Sequence, residues 1–199
     1  MKKLAALFAA IMMLSFPFIP FGHQRAYAET ADNVTIYTVQ EGDSLFKIGV
    51  KLGVSELKLK EINHKRTDII YPGEKLILPE TISDTEKDLL ARLVHAEAKG
   101  EPYAGKVGVA VVVLNRVADD RFPDTIKEVI YQDRQFQPVD NGSINKPADK
   151  YAKRAVMEAL AMQGKGSNSV FFFNPDKTSS KWLRTKTVTT VIGKHRFAK

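Results

Sequence analysis

The chain of 199 residues contains no cysteine. That excludes a disulfide scaffold, a thiolate-ligated zinc or iron–sulfur site and any thiol nucleophile. Histidine occurs four times, and outside the amino-terminal leader only His64, His95 and His195 remain. They form neither an H-x-H nor an H-E-x-x-H spacing, so no metal site is expected. Lys and Arg number 30 against 23 Asp and Glu, for a formal net charge of +7, yet no basic stripe interleaved with aromatics appears. Nucleic acid is therefore not an expected partner. What the chain does have is 44% apolar and 27% charged residues, enough for packed cores and incompatible with a disordered protein.

One long hydrophobic run is present, Leu4 to Phe21, preceded by Lys2 and Lys3 and followed by the small-x-small triplet Ala26-Tyr27-Ala28. This reads as an export signal over residues 1–28. A retained anchor is the second reading, weakened by Pro17 and Pro20 inside the run. Cleavage after Ala28 removes Lys2, Lys3 and Arg25 with no acidic residue, so the net charge drops by three to +4. An exported protein with that surplus, and no membrane insertion once the signal is cut, suits an anionic wall or membrane surface.

Residues 36–80 form a small unit. Tyr37-Thr38-Val39 reads as a strand, Ser44 caps a helix that Gly53 ends, Ser55 caps a second one, and Leu76-Ile77-Leu78 closes the unit as a strand. The tetrapeptide Gly42-Asp43-Ser44-Leu45 also matches a serine-hydrolase signature, but Ser44 follows a strand and opens a helix, as a capping residue does. The unit, with Asn63 and Pro72-Gly73, resembles the LysM module throughout. The resemblance implies binding of N-acetylglucosamine-containing glycans along Gly42, Asp43, Ser44 and Leu45 and along Ile70, Tyr71 and Pro72.

The remaining chain is long enough for a core of its own. Ser83 or Asp84 caps a helix carrying Leu89, Leu90, Leu93 and Val94, which Gly100 and Pro102 stop. Tyr103 to Ala118 is rich in β-branched residues, but its length favours a buried helix over a strand. A short helix follows Phe122-Pro123-Asp124, Asn141-Gly142 marks a turn, and another helix spans about Ala148 to Gln163. Val170–Phe173 and Thr187–Ile192 read as strands separated by a polar loop. The fold class expected is α+β, a β-α-α-β module followed by a mainly helical domain, 84–199, with a small C-terminal sheet.

Glu97 falls on the apolar stripe of Leu90, Leu93 and Val94, in the last turn of its helix. Partial burial and the negative end of the helix dipole both oppose its ionisation. A carboxyl group protonated near neutral pH can donate a proton to a leaving oxygen. An equally open reading pairs Glu97 with Arg92 or Lys99. Glu101, between Gly100 and Pro102, reads as a loop or cap residue, and His95 points away from Glu97 toward solvent.

The stretch LLARLVHAEAKGEPYAGKVGVAVVVLNRV, with RFPDTIKEVIYQDRQFQPV, FFFNPDKTSSKW and IGKHRF, resembles the spore-cortex-lytic cell-wall hydrolase family over residues 84–199. The resemblance implies a lysozyme-like fold similar to lytic transglycosylases, Glu97 as general acid/base, and substrate contacts at Phe136, Gln137, Phe173, Asn174, Trp182 and His195. It also implies no cofactor, peptidoglycan glycan strands as partner, and residence in the cell wall or the spore cortex. Two departures, His95 where members often have Tyr and Gln137 where many have Thr or Ser, bear on substrate preference. A muramidase-type hydrolase would need a second carboxylate, for which Asp133, Asp140 and Asp176 are candidates. A transglycosylase would not, because a hydroxyl of the sugar itself attacks. A non-catalytic wall-binding protein is the alternative from another class.

Overall fold

The Ser44 side chain accepts a hydrogen bond from the Lys47 amide at 3.2 Å, and Ser55 accepts one from the Lys58 amide at 3.3 Å. These caps start helices α1 (Leu45–Leu52) and α2 (Glu56–Ile62) where the sequence signals them. The computed structural model to which they belong describes residues 35–199, and the expected signal at 1–28 lies outside the described residues. Gly53, at φ 68°, ends α1 in the left-handed conformation that costs glycine nothing. Strand β1 (Ile36–Thr38) pairs antiparallel with β2 (Lys75–Ile77), Ile36 opposite Ile77. The Asn63 amide holds α2 to β2, donating to the Ile77 carbonyl and accepting from its N–H, both at 2.8 Å. Val39, Leu45, Ile48, Leu59 and Leu76 fill the small core.

In the larger part, Ser83 and Glu86 form a reciprocal capping box at the start of α3 (Asp84–Glu97). The β-branched run folds as the 15-residue helix α4 (Tyr103–Val117). Val107, Val109 to Val113 and Leu114 are all buried, as expected of a helix apolar around most of its circumference. A short α5 (Ile126–Tyr131) begins at a Thr125 cap, and α6 (Gln137–Asp140) and a 3-10 turn (Ser143–Asn145) follow. Helix α7 (Lys150–Ala161) starts at Asp149, whose carboxylate accepts from the Ala152 amide at 2.7 Å. It packs on both α3 and α4.

Strands β3 (Phe171–Phe173) and β4 (Val188–Ile192) lie within the two expected stretches, but they are not each other's neighbours. Between them lies β5 (His195–Ala198), antiparallel to both, in the order β3-β5-β4. β5 is four residues long and includes His and Arg, so it carries little strand signal. A one-turn helix, α8 (Lys181–Arg184), stands at the end of the expected polar loop.

The described residues make one compact unit, and the β-α-α-β module docks on α7. A Cβ on Gly49 would stand 3.1 Å from the Ala161 Cβ, and one on Gly164 would stand 2.9 Å from Leu57 Cδ2. The Ser55 hydroxyl donates to the Gln163 carbonyl at 2.9 Å, the Thr81 hydroxyl donates to the Gly53 carbonyl, and Lys165 pairs with Glu56 at 2.9 Å. Gly53 meets Lys87 near the start of α3 and Met157 near the end of α7, while His95, near the end of α3, meets Asp149 at the start of α7. The two helices are thus antiparallel. The module sits at the amino end of α3 and Glu97 at the other, about 20 Å along a 14-residue helix.

Candidate active site

Helix α3 places Glu97 where its apolar stripe runs out. Leu89, Leu90, Leu93 and Val94 are buried against α4 and α7, Ala98 ends the helix, and Gly100 at φ 82° turns the chain away. Glu97 then faces an open cleft of about 770 Å³. The segments 134–143, 172–178 and 194–195 form its other walls. Burial pushes the Glu97 carboxyl up to about 7. Desolvation is the cause of the rise.

Neither expected ion-pair partner reaches Glu97. Arg92 is bound to Asp88 at 3.0 Å and to the Ile144 carbonyl at 3.2 Å, and Lys99 is exposed. Among the described residues no salt bridge or hydrogen bond engages the Glu97 carboxyl. Chemically the group is a proton donor held ready beside an open, water-accessible groove. His95 is half-buried rather than fully exposed, its Nδ1 3.3 Å from Asp149 Oδ2. It lies near the end of α3 facing the start of α7, outside the lining of the cleft.

Of the six further residues expected at the cleft, five line it: Phe136, Gln137, Phe173, Asn174 and His195. They do so in different ways. Gln137 is exposed and Asn174 half-buried at the rim. Phe136 is 2% exposed, stacked near Phe172 at 6.3 Å, so it offers a floor rather than a free ring. His195, 7% exposed, packs beside Phe172 and Phe197, and its Nδ1 is buried without a partner. Burial holds its imidazole below the ordinary range, while the Glu101 charge acts in the opposite sense. Trp182 is the exception. It is 55% exposed on α8, meets Phe171 edge-on at 5.1 Å with Lys186 over its face at 3.9 Å, and does not line the cleft. α8 sets its orientation, and that helix was not legible in the polar loop.

Arg116 and Glu101 also belong to the cleft, which sequence reasoning did not expect of them. Arg116 is buried on the cleft floor, donating from Nε to the Val170 carbonyl at 2.7 Å and from Nη1 to Gln135 Oε1 at 3.2 Å, with Phe122, Phe136 and Phe171 around it. Desolvation lowers it to about 10. The available signal was its place on the stripe of Val109, Val112 and Val113, where a charge must be accounted for. Glu101 also lines the cleft, as does Asp140, one of the three candidate second carboxylates. Asp133 pairs with Arg134 at 3.6 Å, and Asp176 is exposed; neither lines the cleft.

In the β-α-α-β module, Gly42 turns at φ 77° and is exposed. Asp43 is engaged internally, accepting from the Tyr37 hydroxyl at 2.7 Å and the Gln40 amide at 2.9 Å, and these bonds hold its carboxyl below the usual range. Ser44 serves as a helix cap, in keeping with the rejection of a nucleophile there. Leu45, 1% exposed, is core, so only its backbone could touch a ligand. Ile70 packs partly on that core, whereas Pro72 is exposed and Tyr71 is 67% exposed.

The two-part organisation agrees with the known proteins that the chain resembles. The cell wall hydrolase family matches residues 100–198, and the LysM domain matches residues 37–79. The chain belongs to the cell wall hydrolase family, with a LysM domain ahead of the hydrolase domain. It is 40% identical over 122 residues to a spore cortex-lytic enzyme of Bacillus cereus, a match covering 61% of this chain and 47% of that protein. It is 42% identical over 123 residues to a spore cortex-lytic enzyme of Oceanobacillus iheyensis, covering 61% and 44%. The chain thus spans about half the length of the curated relatives it matches. Among solved structures, the catalytic domain of the germination-specific lytic transglycosylase SleB from Bacillus anthracis is 40% identical, with 61% of this chain and 99% of that one covered and a TM-score of 0.57. The family match begins three residues after Glu97.

Proposed function

We propose that this protein is an exported peptidoglycan-degrading enzyme that cuts the glycan strand between N-acetylmuramic acid and N-acetylglucosamine as a lytic transglycosylase. The observation that carries the reading is Glu97, a desolvated carboxyl pushed up to about 7 and free of any cation, on the wall of an open cleft. Similarity to spore cortex-lytic enzymes and to a domain described as a lytic transglycosylase supports the substrate class. The LysM domain supports retention on wall glycan, in the cell wall or the spore cortex.

In this reading protonated Glu97 donates its proton to the bridging oxygen as the glycosidic bond breaks. The resulting carboxylate then removes the proton of the C6 hydroxyl of N-acetylmuramic acid, which attacks its own C1. The product is a 1,6-anhydro end, and Glu97 is left protonated for the next cycle. No bound water needs activation, because the attacking hydroxyl belongs to the same sugar ring. Gln137 and Asn174 at the rim serve to hold acetamido and hydroxyl groups, and Phe173 and His195 to shape the floor.

One observation favours a second reading. Asp140 lines the same cleft and could activate a water, giving hydrolysis of the same bond. Digestion of purified peptidoglycan followed by mass spectrometry separates the two. Transglycosylation yields non-reducing 1,6-anhydromuramic ends; hydrolysis yields borohydride-reducible muramic ends and a strong dependence on Asp140. Glu97→Gln should abolish both. Cleavage by that variant within a few-fold of wild type would reject Glu97 as the acid, and no cleavage by the wild type would leave a wall-binding protein.

A further inference from the structure

The loop that follows Glu97 is tied to the strand pair that carries His195. Ala98 receives two bonds at its carbonyl, from the Glu101 amide at 3.1 Å and from Lys106 Nζ at 2.6 Å, so the chain between α3 and α4 has little freedom. From this loop the Glu101 side chain reaches the β4–β5 turn. There its Oε2 accepts the Lys194 N–H at 2.9 Å.

The turn needs that acceptor. Ile192 and His195 are the last pair of the β4–β5 ladder, so only Gly193 and Lys194 connect the strands. Gly193 has φ 58° and Lys194 does not share a positive φ, the pattern of a two-residue hairpin with glycine at its first position. In such a tight turn the amide of the second central residue has no ladder partner, and the Glu101 carboxylate satisfies it with a charge-assisted bond. The contact is close as well as polar. A Cβ on Gly193 would lie 2.7 Å from Pro102 Cδ and collide with the Glu101 carboxylate.

We infer that Glu101 is a positioning residue for the cleft: it sets the separation of Glu97 and His195 by clamping the β4–β5 turn to the loop that ends α3. This inference rests on the reading of Glu97 and its cleft as the catalytic site. Glu101 belongs to the cleft lining, so a second acid/base is the competing role, and the two make opposite demands on the side chain. A clamp needs an acceptor oxygen at that place and no negative charge. An acid/base needs a titrating carboxyl.

Two near-isosteric variants of the full chain separate the roles. Glu101→Gln keeps an acceptor for the Lys194 amide, so kcat on soluble glycan fragments should stay within about threefold of wild type, as hydrogen-bond geometry is retained. Glu101→Met keeps the stem but cannot accept the bond. Its kcat should fall roughly 10- to 100-fold, the penalty for displacing a cleft group by a fraction of an ångström to an ångström. Amide hydrogen exchange at Lys194, which is independent of catalysis, should stay slow in Glu101→Gln and become fast in Glu101→Met. The clamp is overturned if Glu101→Gln loses activity as completely as Glu101→Met while Lys194 remains protected, or if Glu101→Met exchanges and turns over like wild type. Glu97→Gln, assayed alongside, tests the underlying reading separately: its retained activity would remove Glu97 from catalysis whatever Lys194 exchange reports.

Discussion

A carboxyl group that stays protonated to about pH 7 destabilises the protein that holds it once it is forced to ionise. Glu97 has an ordinary value of 4.5 and is pushed up to about 7 by burial. At 1.36 kcal/mol for each factor of ten in acidity, the folded state gives up about 3 kcal/mol when the pH is well above 7. Below pH 4.5 the group is protonated in folded and unfolded chains alike, and the loss vanishes; between 4.5 and 7 it grows as the unfolded chain releases a proton that the folded one keeps. Glu97→Gln carries a neutral side chain of similar volume and escapes this loss. Urea unfolding at pH 4 should therefore find the variant about as stable as wild type. At pH 8 the variant should be more stable by about 3 kcal/mol, or roughly 6–12 °C in melting temperature for a chain of this size. The same titration should remove wild-type activity as the pH rises through 7, because the proton donor disappears, while the variant is inactive throughout, by on the order of 10²-fold or more. A stability difference that does not change between pH 4 and pH 8 would refute the claim that the carboxyl is desolvated.

Gly108→Ala sets two effects against each other. Alanine favours a helix by about 0.5–1 kcal/mol, but its Cβ would stand 2.5 Å from Phe197 Cζ, and overpacking of that kind costs about 1–3 kcal/mol, so thermal melting should show a net loss and a stabilised variant would contradict the packing. A shortened chain beginning at Thr81 exposes Ala161 and leaves Lys165 without Glu56. It should melt lower than the full chain, on the order of 2 kcal/mol less stable from lost apolar contact, and should no longer sediment with insoluble wall; an unchanged melting temperature would mean the docked module adds nothing to stability. Tyr71→Ala, at an exposed ring in the LysM loop, should weaken wall binding about 5- to 30-fold, the loss of about 1–2 kcal/mol of ring contact, with cleavage of soluble fragments unchanged. Prolonged chelation should leave the rate as it was, since the chain has no cysteine and the described residues contain no group of three metal-ligating side chains; a rate restored by added zinc would overturn this.

The sequence by itself determined the features that depend on neighbours along the chain. Ser44, Ser55 and Ser83 mark helix starts because a hydroxyl can reach an amide three residues on. Gly53 and Gly100 mark ends because the backbone must turn left-handed there. Glu97 was conspicuous because a carboxylate on a stripe of Leu90, Leu93 and Val94 breaks the apolar period. The length of the run likewise favoured helix over strand for Tyr103–Val117 despite its valines. What only the tertiary structure decided depends on residues far apart in the chain. β5, short and carrying His195 and Arg196, does not announce itself and is a strand because β3 and β4 offer it ladder partners on both sides. Arg116 is tolerated in the core because Val170, 54 residues on, supplies a carbonyl. Trp182 stands outside the cleft because α8 orients it toward Phe171 and Lys186. The LysM module is docked on α7 because Gly49 and Gly164 are small enough to let the surfaces close. Whether Glu97 is buried, and whether a cation neutralises it, was likewise a matter of what lay across from it: Asp88 and the Ile144 carbonyl hold Arg92 away, and desolvation then sets its acidity.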